Sequence, residues 1–343
     1  MKRKGICYDA GRVMMGREWR PVFDPEVVHR ELEIIKRDLH CNAVRICGYD
    51  IGRLMTAAED ALAQGLEVWF CPELWDSNER ETLDYVEKAA ASAERLSSGR
   101  QNQVVFSVGS ELTLFMQGIV EGDNVFERLA HPSLLENVKA GKHNAPLNAF
   151  LTEANEAVKD VFHGKVTYAS VPFEAVDWSL FDFVCVDLYR EKRIKDQYTD
   201  LLKRWFAYNK PVVIGEFGCC TYRGAGDAGG RGWDIVDWTT VPPKLKGEYV
   251  YDQSEQAREL SDQLNVLDQA GVDGAFVFTF VQPPQFQDEA EKQMLKNVAF
   301  DLDIVNYSLV KSSVEGRHGT FYPDVPWEPK ESFNAVAEYY AAH

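Results

Sequence analysis

Short, continuously apolar runs alternate along the chain with longer stretches in which apolar residues recur every three or four positions. Runs of the first kind predict strands at Gly5–Tyr8, Ala43–Cys47, Glu67–Cys71, Val104–Val108, Val166–Ala169, Phe183–Asp187, Val212–Gly215 and Ala275–Thr279. Runs of this length without polar alternation suit parallel strands buried on both faces. Between them the period changes to that of a helix. Asp24 precedes Pro25, and Val28, Leu32 and Ile35 follow at helical spacing, so a helix starts there with an aspartate cap. Asp50–Gln64 reads as a second helix, stopped by Gly65. Glu79–Leu96, Pro146–Phe162, Ile194–Tyr208 and Ser254–Ala270 repeat the pattern, and Lys330–Ala342 closes the chain. Between the fifth and sixth strands there is room only for a rudimentary helix.

Strict alternation of strand and helix selects a parallel sheet. Eight such units favour closure, so the chain reads as one α/β domain over residues 1–343, a single (β/α)8 TIM barrel. An open, doubly wound sheet would carry a glycine-rich phosphate turn after its first strand. Here Gly11 and Gly16 follow that strand without the required spacing. Long loops are expected after strands four, seven and eight, at Leu112–Asn144, Gly218–Tyr251 and Val281–Pro329. All three leave strand C-termini, the end where barrels build their sites. They are rich in aromatic residues, among them Phe115, Tyr222, Trp233, Trp238, Tyr249, Tyr251, Phe286, Tyr307 and Trp327. Two readings of these rings stand side by side: platforms for the apolar faces of sugars, or fasteners of the loops.

Composition narrows the partners. A formal net charge of −17 repels nucleic acid and anionic membranes, which gain no counterion release from an acidic surface. No run approaches the roughly 18 apolar residues of a membrane span. The basic start, MKRK, leads into a strand without an apolar signal core, so a cytoplasmic location is expected unless a signal has been removed. Seven cysteines without C-x-x-C spacing fit reduced, buried thiols; the adjacent Cys219 and Cys220 are read as packing residues. The histidines are scattered, so neither a metal nor another cofactor is expected. The glycine-rich stretch AGDAGGRGWDIVDW suits a mobile lid better than a phosphate cradle, and Asp227, Asp234 and Asp237 within it read as a solvated acidic loop.

Two glutamates stand apart. VVFSVGSELTLF puts Glu111 just beyond strand four, and PVVIGEFGCC puts Glu216 just beyond strand seven. A carboxylate after a buried run is costly unless it faces a polar cavity. At these strand ends both would point into the barrel mouth. A carboxyl pair of this kind is the minimum equipment for glycoside cleavage, one protonating the leaving oxygen and the other attacking or activating water.

With these residues the sequence resembles the clan-A glycoside hydrolases, the barrel superfamily of cellulase-like and mannanase-like enzymes. The resemblance implies an acid/base role for Glu111 and a nucleophilic role for Glu216. It also implies supporting roles for Arg45 in AVRICGYD and for Tyr189 in CVDLYR, both near the nucleophile. A cation beside Glu216 would stabilise its charge, and burial beside Phe106, Phe115 or another ring would keep Glu111 protonated. Several positions depart from the clan pattern. Ser110 replaces the usual asparagine before the acid/base, Asp187 replaces a histidine on strand six, and CPELWD offers Glu73 and Trp75 for a histidine on strand three. FVFTFVQP offers Phe278 and Phe280 for a tryptophan on strand eight. Tyr8 on the first strand and Trp233 complete the candidate binding residues. The runs LHCNAVRI and GLEVWF also resemble proteins labelled abortive phage infection protein, a label that names no chemistry.

The expected function is a retaining β-glycosidase, or a transglycosylase with the same covalent intermediate, acting on a small-molecule or oligosaccharide substrate. Two alternatives stay open: an altered barrel that binds a saccharide or phage component without turnover, and an enzyme using the same acids on a non-sugar substrate.

Overall fold

The computed structural model describes residues 1–100 and 102–343. Eight parallel strands close into a barrel: β1 (Arg3–Asp9), β2 (Ala43–Gly48), β3 (Glu67–Pro72), β4 (Val104–Ser110), β5 (Lys165–Ser170), β6 (Val184–Asp187), β7 (Val212–Phe217) and β8 (Gly274–Val277). Each strand pairs with its sequence neighbours, and β8 returns to β1 through Arg3 opposite Gly274. The predicted barrel is therefore the observed one.

Helices follow most strands: α1 (Pro25–Arg37), α2 (Ile51–Ala63), α3 (Glu79–Ser97), α4 (Asn144–Val161), α5 (Tyr198–Phe206), α6 (Gln253–Ala270) and α7 (Glu331–Ala342). Their starts are chemically marked. Asp24, Asp50 and Asp252 accept backbone N–H groups as caps, and Asn78 forms a reciprocal capping box with Glu81. Between β5 and β6 only a three-residue 3-10 turn, Trp178–Leu180, takes the helix position. Strand eight stops at Val277, two residues earlier than its apolar run suggests.

Two cores result from the two strand faces. The outer face packs on the helices through Ile6, Tyr8, Phe70, Phe106 and Ile214, among others. The inner face is plugged by Trp69, whose ring lies 5.0 Å from both Phe183 and Phe276. Burying such rings contributes about 4–6 kcal/mol each in transfer terms. Arg3 closes the N-terminal end over Trp69 and Phe183 while pairing with Glu67 and Asp273. The opposite end is left for polar side chains.

All three long loops carry structure of their own. The loop after β4 holds short helices at Leu112–Phe115, Val125–Ala130 and Pro132–Ala140. The loops after β7 and β8 are fastened by buried aromatic residues, Tyr222, Tyr307 and Trp327. Trp327 donates its indole N–H to Glu31 of α1 at 2.9 Å. Trp238 is 53 % exposed and fastens nothing by burial. Among the described residues, no helix is long and apolar enough to cross a membrane.

Candidate active site

Strand parity decides which side chains reach the barrel mouth. Cys7, Arg45 and Trp69 lie level on adjacent strands, so Asp9, Cys47 and Cys71 face inward two residues further on, and Glu73 two beyond Cys71. Asp9 folds the next loop back over the mouth: its Oδ1 accepts the N–H groups of Gly11 (2.7 Å) and Arg12 (3.0 Å). Gly11 is required there, with φ of 122° and Arg53 Nη1 2.8 Å from where a Cβ would stand. The outcome is that Arg12 is delivered, fully buried, between two acids. Its Nε donates to Glu73 (2.5 Å), and its Nη2 donates to Glu73 (3.2 Å) and to Glu216 (3.3 Å).

Glu216 is held from several directions. Arg45 Nη1 donates to its Oε1 at 2.6 Å, on the same oxygen as Arg12, and the Tyr189 hydroxyl donates to its Oε2 at 3.0 Å. Arg45 is itself fixed by Gly215 O (3.2 Å) and Ser110 Oγ (3.0 Å). Ser110 passes the connection on, donating to Asp187 Oδ2 at 3.1 Å. Gly215 has no room for a side chain, since a Cβ would meet Asp187 Oδ1 at 2.4 Å. Strand register shifts where this cluster forms, between Ser107 and Ser110, between Val186 and Asp187, and between Ala275 and Val277. Such irregularities re-aim side chains at a barrel rim.

Glu111 follows β4 in a left-handed conformation, with φ 50° and ψ 41°. Among the described residues, its carboxyl forms no side-chain hydrogen bond. Burial pushes its pKa well above the usual carboxylate range, and the charges of Asp187 and Glu216 push it further. Asp187 is raised in the same way, first by burial, and its Oδ1 has no protein partner among the described residues. One carboxylate ringed by cations thus faces a second carboxyl that favours its protonated form.

Of the residues singled out from sequence, Glu111, Glu216, Arg45, Tyr189, Ser110, Asp187 and Glu73 meet at this mouth. Trp75 lies at its rim, stacked on Phe115 (4.3 Å) and edge-on to Trp19 (5.8 Å). Trp233 stands further out, against Phe126 of the loop after β4 (6.0 Å), with no contact to the carboxylates among the described residues. Tyr8 and Phe280 are not brought to the mouth. Tyr8 points outward and donates to Glu31 of α1, while Phe280 packs edge-on against Trp327. Phe278, on the inward parity, takes the place expected of Phe280, under the Arg12 guanidinium and beside Tyr189. Phe106 likewise faces the helices. Arg12 and Asp9 were missed, although a charged residue ending the first strand was a visible signal.

One donor set resembles a metal site. Cys47 and Cys71 thiols and Glu73 lie within 4.8 Å of one another. Both Glu73 oxygens are already taken by Arg12, and Arg45 Nη2 lies 3.6 Å from Cys71 Sγ. A divalent ion would sit between two guanidiniums, so the residues do not fit one. In the glycine-rich loop, Asp234 is paired with Arg231 and Lys246, and Asp237 caps Thr239. All seven cysteines are buried, free thiols.

The sequence matches no family model and no curated protein. Solved structures do resemble it. A family 113 β-mannanase from Alicyclobacillus acidocaldarius, in complex with ManMIm, superposes with TM-score 0.61 at 15 % identity, over 99 % of this chain and 97 % of that one. A family 5 xyloglucan-specific endo-β-1,4-glucanase from a metagenomic library, in complex with cellotriose, gives 0.58 at 10 %, over 98 % and 96 %. A β-glucuronidase from Ruminococcus gnavus, in complex with D-glucaro 1,5-lactone, gives 0.57 at 15 %, over 99 % of this chain and 49 % of that one. At these identities the likeness is one of fold alone, that of a closed parallel barrel with surrounding helices.

Proposed function

We propose that the chain is a retaining β-glycosidase in which Glu216 is the nucleophile and Glu111 the acid/base. The observation that carries this reading is the opposed electrostatics of the two carboxyls: Arg45, Arg12 and Tyr189 surround Glu216, while burial and like charge keep a proton on Glu111. In the first step a Glu216 oxygen bonds to the anomeric carbon, the bond to the leaving oxygen breaks, and that oxygen takes the Glu111 proton. In the second step Glu111 removes a proton from water, whose oxygen displaces Glu216 from the sugar. Trp75, Phe115 and Trp19 offer ring faces at the rim, and two of the structural neighbours, the β-mannanase with ManMIm and the glucanase with cellotriose, are complexes of enzymes named for glycans, which supports a glycan substrate.

A second reading is favoured by Ser110. Its hydroxyl is committed to Arg45 and Asp187 and is not free for a substrate hydroxyl, which suits a barrel that binds without turnover.

A panel of activated aryl β-glycosides separates the two. The expected result is that the wild type cleaves at least one member, and that Glu216→Ala loses on the order of 10³-fold or more. Added azide then restores turnover and yields the α-glycosyl azide. Silence of the wild type across the panel, with saccharide binding retained in Glu216→Gln, overturns the hydrolase reading in favour of the binding one.

A further inference from the structure

Glu111 occupies a backbone region that L-residues adopt only when their surroundings over-determine it. Those surroundings are a clamp built on the end of β5. The Tyr168 hydroxyl accepts the Leu112 N–H at 2.8 Å, and Glu174 Oε1 accepts the Thr113 N–H at 3.1 Å. Glu174 Oε2 accepts the Val171 N–H at 3.1 Å, and both Glu174 oxygens lie 3.0 Å from the Tyr168 hydroxyl. The Glu111 N–H completes the clamp by donating to Ala169 O at 2.8 Å. Tyr168 lies in the core between strands and helices, behind the mouth.

Packing alone does not call for an acid here. A buried carboxyl is costly, and a hydrophobic side chain would fill the space. What only a carboxylate offers is two acceptor oxygens for the donors converging from Thr113, Val171 and Tyr168. An amide in its place would turn an N–H toward one of them.

We propose that Glu174, together with Tyr168, is a positioning residue for Glu111, tying the turn that carries the acid to the end of β5. The proposal rests on the acid/base reading of Glu111 given above. Glu174 also acts at a distance. Its negative charge is one of the groups that raise Glu111, ranking after burial, Asp187 and Glu216, with Arg45 opposing. Burial pushes Glu174 itself up to about 7, against the pull of its bonds from Thr113, Tyr168 and Val171. The groups facing Glu111 are therefore Asp187 from β6, Glu216 from β7, Arg45 from β2 and Glu174. Those facing Glu174 are Tyr168 from β5 and Glu111, with His143, before α4, bonded to the Phe173 carbonyl at 3.0 Å.

Two variants divide the geometric role from the electrostatic one. Protein labelled with ¹³C at glutamate carboxyls, with Glu111→Gln to assign the signal, gives the Glu111 titration midpoint by NMR. In Glu174→Gln that midpoint is expected to move about one pH unit to the acid side. In Tyr168→Phe, which removes an anchor but no charge, it should stay. On an aryl glycoside that the wild type cleaves, both variants should lose about ten-fold in kcat with KM within about two-fold. The alkaline limb of the rate profile should move to lower pH only in Glu174→Gln. An unmoved Glu111 midpoint in folded Glu174→Gln, or unchanged kcat in Tyr168→Phe, overturns the proposal. Should Glu174→Gln fail to fold, the Tyr168→Phe kcat decides. A wild type silent on every glycoside overturns the glycosidase reading instead, and the NMR titration then judges the clamp by itself.

Discussion

Arg12 donates to Glu73 and Glu216 from within the protein, so its charge is needed by two acids at once. Removing one partner of a buried pair leaves the other uncompensated, at a cost of about 3–5 kcal/mol. Arg12→Met should therefore lower stability in urea by that order. The double variant Arg12→Met, Glu73→Met should recover most of the loss, because it removes both charges and keeps the volume. Equal losses in the single and double variants would mean that packing, not charge pairing, dominates at this position. The same residues show how far the site could be read in advance. Glu111 and Glu216 announce themselves as acids ending apolar runs, whereas Arg45, inside its strand, and Tyr189 were pointed to only by the family resemblance. The facing of Tyr8 and Phe280 was not legible, because strands buried on both faces lose the alternation that reveals parity. Only the charge of Asp9, level with Cys47 and two residues above the Cys7–Arg45 pair, marks which side of β1 is inward.

At the scale of elements, strands and helices were legible because each is set by its own local period and caps. The loops were not, because their anchors are distant in sequence. Tyr307, in the loop after β8, donates to Gly229 O at 2.7 Å and accepts the Gly232 N–H at 2.9 Å. These bonds pin the glycine-rich stretch so that Gly230 packs on the Tyr189 ring. A stretch expected to behave as a mobile lid is thus tied to two neighbours, through a tyrosine that no local pattern could connect to it. Tyr307→Phe leaves a buried carbonyl and a buried N–H without partners, at about 1–3 kcal/mol each. Hydrogen exchange at the Gly232 amide is expected to quicken at least ten-fold, with stability lower by a few kcal/mol. Unaltered exchange at Gly232 would show that neighbouring packing holds the loop without the hydroxyl.

Across the whole molecule, the net charge of −17 and the buried acids push stability in one direction as pH rises. Glu174 illustrates the sign. Its carboxyl titrates near 7 in the folded chain against an ordinary value of 4.5, so between these limits the folded state binds more protons than the unfolded one. Stability then falls as pH rises from about 4.5, and the loss is complete once pH passes about 7, for a total near 3 kcal/mol from this group. Glu111 and Asp187 are raised too and act in the same sense. Exposed acids such as Glu94 and Asp234, held low by hydrogen bonds from their partners, oppose this only at more acid pH. The stability maximum is therefore expected on the acid side of neutrality. Urea denaturation at pH 5, 6, 7 and 8 should show the wild type losing stability along the series. Glu174→Gln cannot lose the share that belongs to Glu174. Its deficit relative to wild type should shrink by roughly 2–3 kcal/mol between pH 5 and pH 8. Parallel curves for the two proteins would mean that Glu174 ionises alike in folded and unfolded chains, the bonds from Thr113, Tyr168 and Val171 then offsetting its burial in full.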